Sequence, residues 1–155
     1  PMTASVLLCV RRSRPAESAN LAVEVSLRLP SSVDLVEEAV DLITRHCLAG
    51  VTTTRRARFA LQVALSEALA NAIVRGNGED PAKTVEVRAE LLPDQIHLHV
   101  TDEGPGFDPA CLTDPVGPDD LERADGRGLF LIRSLVDHVS FNDRGNSICL
   151  TLRRR

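Results

Sequence analysis

Tryptophan and tyrosine are absent from this sequence, and four phenylalanines hold the aromatic residues to 3%. Platforms on which nucleic-acid bases stack are therefore scarce. A formal net charge of -4 is also the wrong sign for a nucleic-acid-binding face. Lysine is nearly absent as well: Lys83 stands alone, outside any G-x-x-x-x-G-K-S/T loop and any V-A-I-K strand. That excludes a Walker-type phosphate loop and the lysine of eukaryotic-type protein kinases. A nucleoside triphosphate bound here has to be held by other groups. Cys9, Cys47, Cys111 and Cys149 form no C-x-x-C pair, a spacing that fits reduced cytosolic thiols better than a disulfide framework or a zinc site. The apolar run at residues 6–10 is too short to span a bilayer and lacks a signal-peptide plan, so no membrane role is expected.

What remains is enough for one globular domain: 155 residues, 43% hydrophobic and 26% charged. Residues 1–19 show no sustained period and read as an N-terminal segment, mobile or at an edge, ahead of a domain over residues 20–155. Leu21, Val23, Val25, Leu27 and Leu29 alternate with polar residues as a one-sided strand. Pro30 ends it, and Ser31 or Ser32 can cap a helix through Val33, Val36, Val40, Ile43 and Cys47, with His46 near its C-terminal dipole. Residues 52–54 offer a second N-cap to a long apolar helix ending near Gly76. Val85 to Leu91 and Ile96 to Val100 alternate on either side of Pro93 and Asp94, as an antiparallel hairpin does. Residues 109–125, rich in proline and aspartate, read as a long mobile loop. A helix then restarts through Leu129, Ile132 and Val136, followed by a last hairpin and a solvated tail of Arg153, Arg154 and Arg155. Strand, two helices, hairpin, helix, hairpin predicts a sheet with helices on one face.

Three polar features stand out against this pattern. Glu67 and Asn71 are four residues apart in the apolar helix and so share a face. An exposed i, i+4 pair is the plainer reading. The functional reading is a pair facing a cleft, with an amide oxygen suited to Mg²⁺ and a carboxylate able to orient or deprotonate a hydroxyl. Asp102 follows the hairpin in "VTDEGPGFDP". An ionised carboxylate only accepts hydrogen bonds, so it can take one from the exocyclic amine of adenine and would repel the guanine carbonyl. Gly104 and Gly106 allow close approach and unusual backbone angles, although a plain turn explains them too. In "DGRGLFLI", Gly126 and Gly128 at a helix start leave amides and the positive dipole end free for phosphate; a helix stop and restart explains the same letters.

E-x-x-x-N on a helix, D-x-G-x-G after a strand, a proline-rich loop and G-x-G-L opening a helix, in that order, resembles the GHKL ATPase superfamily. Within it, "ALSEALANAIVRGN" (residues 64–77) and "GRGLFLIRSLVDHVSF" (residues 126–141) are most similar to the bacterial anti-sigma factor serine kinases, and the likeness covers residues 21–152. It implies an α+β fold, a two-layer α/β sandwich with a mixed, mostly antiparallel sheet and helices on one face. It also implies that Asn71 holds Mg²⁺ on the triphosphate of ATP and that Glu67 is the base for the substrate hydroxyl. Asp102 would read adenine, with Gly104 and Gly106 beside it. Residues 109–125 would be the lid. Gly126 and Gly128, with Arg127 and Leu129 in the same motif, would contact the nucleotide. Arg123, in a lid one residue longer than the usual spacing, would neutralise γ-phosphate charge, with Arg127 as its competitor. The implied partners are a sigma factor and an anti-anti-sigma protein of STAS type, phosphorylated on serine by a cytoplasmic protein; a homodimer is compatible with this.

Other readings compete. A detached ATP-binding domain of a two-component histidine kinase is one, although His46 lacks the H-E context and no dimerisation helices are read ahead of the domain. A non-catalytic anti-sigma module is another, against which the intact Glu67 and Asn71 count. The larger GHKL ATPases need further domains. His97 and His99 share a strand face but lack a third metal ligand nearby and read as solvent-facing. Arg28 and Arg45 are partner-binding candidates on charge alone.

Overall fold

The computed structural model describes residues 6–13, 22–50, 52–108 and 124–154. Strands β1 (Leu7–Ser13) and β2 (Ala22–Pro30) lead through a 3₁₀ turn (Val33–Leu35) into helices α1 (Val36–Cys47) and α2 (Arg55–Asn71). α2 continues as a π turn (Ala72–Gly76) before β3 (Thr84–Leu91) and β4 (Gln95–Thr101). Helix α3 (Ala124–Leu135) and the hairpin of β5 (His138–Phe141) and β6 (Ser147–Arg153) follow. The strands lie in the order β1-β2-β3-β4-β6-β5, and every described pairing is antiparallel. This is the two-layer α+β architecture expected from the sequence, with β1 as one edge.

The strand period of two decides which face is covered. Val25, Leu27 and Leu29 on β2 stand opposite Ala89, Val87 and Val85 on β3, and Leu98 on β4 stands between Ala89 and Leu150. All of these are at most 1% exposed. The helices close over that face with Ala39 and Ile43 of α1, Leu61, Leu65 and Leu69 of α2, and Ile132 of α3. The opposite face carries Arg28, Glu86, Arg88, Glu90, His97 and His99 in facing register. The stretch Arg55–Gly76 is long and apolar enough, by length and composition, to cross a membrane; here its Leu61, Leu65, Leu69 and Ile73 pack into the hydrophobic core.

Several local details bear on the sequence reading. Ser32 makes no capping bond; the neighbouring Ser31 is instead buried, and its hydroxyl donates to the Lys83 carbonyl at 2.8 Å. Arg154 is not a solvated tail residue. Its guanidinium donates to the carbonyls of Cys47 (3.1 Å) and Leu92 (2.9 Å), satisfying an acceptor that the end of α1 leaves open. Arg28 and Arg45 are already paired, with Glu86 and Asp41. α3 begins two residues before Gly126. The cysteines at 9, 47 and 149 are free thiols, and Cys111 lies outside the described residues. Burial pushes the Cys47 thiol up to about 12, with Arg154 opposing the shift.

Thr54 caps α2, its hydroxyl accepting from the Ala57 amide at 3.0 Å. Thr54→Ala leaves that amide without its cap and should lower stability by about 1 kcal/mol. Urea denaturation of the two proteins, with an unchanged slope and a lower midpoint, is the expected result.

Candidate nucleotide site

α2 supplies both ends of the site. Glu67 and Asn71, one turn apart, face α3 where Gly128 crosses them. A Cβ at Gly128 would stand 3.1 Å from the Glu67 carboxylate and 3.1 Å from the Asn71 amide nitrogen. The missing side chain thus lets α3 approach Glu67 and Asn71 on α2. Because α3 starts at Ala124, Gly128 lies beyond its first turn, where an N–H is committed to the helix. Its absent side chain matters here more than a free amide.

The other end lies past the π turn. The turn brings Gly76 against the Asp102 carboxylate, and a Cβ at Gly76 would fall on that carboxylate. π turns of this kind recur at functional sites. Asp102 extends the β4–β6 ladder: its amide donates to the Asn146 carbonyl at 2.9 Å, and the Asn146 side chain donates to the Asp102 carbonyl at 3.1 Å. One carboxylate oxygen accepts from the Gly104 amide at 2.8 Å. A Cβ at Gly104 would run into the Gly76 carbonyl, and one at Gly106 (φ 74°) into the Arg144 carbonyl. Both glycines are needed because backbone already occupies the side-chain space.

Partial burial pushes the Asp102 carboxyl above the usual carboxylate range, opposed by the Gly104 hydrogen bond and by the charge of Lys83. The lone lysine therefore acts on the site through its charge. An ionised acceptor held half-buried beside a glycine is suited to an amine donor.

Of the residues expected from the sequence, Glu67, Asn71 and Gly128 come together, and Asp102, Gly104 and Gly106 form one braced loop at the other end of the helix. Gly126 and Arg127 fall in the first turn of α3. Leu129 is buried, 8% exposed, so its side chain faces protein. Arg123 and residues 109–123 lie outside the described residues. His97 and His99 sit on the sheet face away from the helices, and no group of three metal-ligating side chains occurs among the described residues. Asn77, Glu103 and Asn146 belong to the site's bracing without a signal in the sequence that marks them. Asn77 follows Gly76 and precedes Gly78, and Asn-Gly reads as a turn before it reads as a buried brace.

A six-stranded sheet covered on one face, with a helix that carries E-x-x-x-N at one point and meets an aspartate-glycine loop at its end, defines a nucleotide-binding domain of the ATPase class. The family model described as histidine kinase-like ATPase domain matches residues 29–152, and the chain belongs to that family. It is also 30% identical over 139 residues to the serine-protein kinase RsbW of Staphylococcus aureus strains JH9, Newman and USA300, covering 82% of this chain and 84% of theirs.

Asp102 is held at a cost. Its carboxyl keeps a proton more tightly in the folded protein than in the unfolded chain, so ionising it lowers stability as pH rises through and above the ordinary carboxylate range. Asp102→Asn should therefore raise the melting temperature of the nucleotide-free protein at neutral pH, with the gain shrinking near about pH 3, where the acid is neutral in both states. The same change should weaken ATP binding by about 1–3 kcal/mol. Thermal melts at the two pH values and calorimetric titration with ATP check both signs.

Proposed function

We propose that this protein is an anti-sigma factor with serine-protein kinase activity. On this reading it is cytoplasmic, sequesters a sigma factor, and uses Mg-ATP to phosphorylate a serine of an anti-anti-sigma protein of STAS type. The observation that carries the reading is the arrangement along α2, with Glu67 and Asn71 together under Gly128 and Gly76 against Asp102. Family membership supports ATP use, and the relatives named serine-protein kinase support the type of transfer.

Asp102 would accept the amine of adenine, and the triphosphate would run along α2 toward Asn71 and the start of α3. The chemistry of the donors fits Mg²⁺, since the Asn71 amide oxygen is a hard ligand and a single protein donor suffices where phosphates and water complete the shell. The ion, when bound, would supply charge neutralisation on the phosphates. Glu67 would accept the proton of the serine hydroxyl as the Oγ–Pγ bond forms and the bond from Pγ to the ADP oxygen breaks. Arg123 or Arg127 would balance γ-phosphate charge. Catalysis would come mostly from positioning and electrostatics.

Glu67 and Asn71 should then fail differently. Glu67→Gln should bind ATP nearly as the parent does while serine phosphorylation falls by roughly 10²–10⁴-fold. Asn71→Ala should lose Mg²⁺-dependent ATP affinity itself. Titration calorimetry beside transfer of labelled phosphate to the partner separates the two. A Glu67→Gln protein that phosphorylates at the parent's rate would remove Glu67 as base. A parent that binds ATP and a sigma factor but phosphorylates no anti-anti-sigma protein would be a binding module only.

A further inference from the structure

Asn77 is one of the few buried polar side chains among the described residues, 3% exposed, and its amide is used on both sides. Nδ2 donates to the Ser31 hydroxyl at 2.8 Å and to the Thr84 carbonyl at 2.9 Å. Oδ1 accepts from the Glu103 amide at 2.8 Å. Its own amide donates to the Ala72 carbonyl at 2.9 Å, closing the π turn. One residue therefore joins the end of α2, the end of β2, the start of β3 and the peptide directly after Asp102. Glu103 returns the tie, its carboxylate accepting from the Thr84 amide.

We propose that Asn77 is a positioning residue for base selection: by holding the Glu103 amide it fixes the Asp102 carboxylate relative to Gly76, and so sets the preference for adenine over guanine. The inference rests on the reading of Asp102 as the acceptor for adenine. Discrimination between an amine and a carbonyl depends on where the acceptor oxygens stand. One oxygen of Asp102 is committed to Gly104, so the direction of the other follows the turn at residues 102–104. The turn is held from the β6 side by Asn146, from the β3 side by the Glu103 carboxylate on the Thr84 amide, and from the α2 side by Asn77. Releasing the hold from α2 loosens the peptide after Asp102 and lets the carboxylate shift without removing it. A residue that serves stability alone would affect both nucleotides equally.

The test compares ATP and GTP affinities of the parent, Asn77→Ala and Ser31→Ala, each checked for folding by circular dichroism. Ser31→Ala removes another partner of the same amide and leaves the Glu103 bond in place. It should lower the melting temperature and keep the parent's ATP-to-GTP ratio. Asn77→Ala should lower that ratio by roughly tenfold, the scale of one lost hydrogen bond of this kind. Where Asn77→Ala does not stay folded, Asn77→Ser, too short to reach Glu103, takes its place with the same expectation. A folded Asn77 variant with the parent's ratio overturns the proposal while leaving Asp102 as the adenine acceptor. A ratio lost equally in Ser31→Ala also overturns it, in favour of general loosening. A parent that binds ATP and GTP alike removes the adenine reading and this proposal together.

Discussion

The contact on which the site depends is between two stretches of backbone. The carbonyl of Gly76, at the end of α2, lies where a side chain at Gly104 would be, and the Asp102 carboxylate lies where a side chain at Gly76 would be. Neither approach is available to any residue with a Cβ, so the end of the core helix and the loop after β4 specify each other. The π turn belongs to the same constraint. Widening the last turn of α2 shifts where Gly76 emerges, and the Asn77 and Glu79 amides close that turn onto the carbonyls of Ala72 and Ile73.

Because α2 is also the central core helix, the accuracy of the site is inherited from packing. Leu61, Leu65, Leu69 and Ile73 are at most 1% exposed, and truncating any one of them to alanine falls in the range of about 2–5 kcal/mol. A helix held that firmly cannot shift by a fraction of a turn to suit a ligand. Glu67 and Asn71 therefore keep a constant spacing from Gly76. Adaptation has to come from elements that meet α2 from outside.

The periodic parts of the chain are legible in the sequence because a single physical effect governs each. Alternation in β2, β3 and β4 marks the covered face, and Thr54 announces α2 by the geometry of an N-cap. Glu67, Asn71 and Asp102 stand out as polar residues at places where apolar burial or strand continuation is expected. The polar tie of Asn77 does not. Its partners Ser31, Thr84 and Glu103 are far apart in sequence, and the letters Asn-Gly carry a strong local turn signal that hides a buried role. Gly104 and Gly106 mark places of close approach, but what approaches is the chain's own backbone. That fact exists only once β4, β6 and α2 are assembled. Arg154 is similar: three terminal arginines look like a tail until β6 brings one of them to the carbonyls of Cys47, at the end of α1, and Leu92, just past β3.

The two faces of the sheet divide the work unequally. On the open face, Arg28–Glu86 at 3.1 Å and Arg88–Glu90 at 3.7 Å are partly exposed pairs, which in solvent are worth about 0–1 kcal/mol. Folding therefore rests on the covered face and on the helices that close it, so a ligand cleft cannot be opened through the middle of that layer without losing core. It has to sit where a core helix ends and a strand runs out, since polar backbone is exposed there in any case and glycine can admit a close neighbour. Gly76, Asp102 and Gly104 meet at such a rim, where partial burial raises the Asp102 carboxyl above the usual carboxylate range.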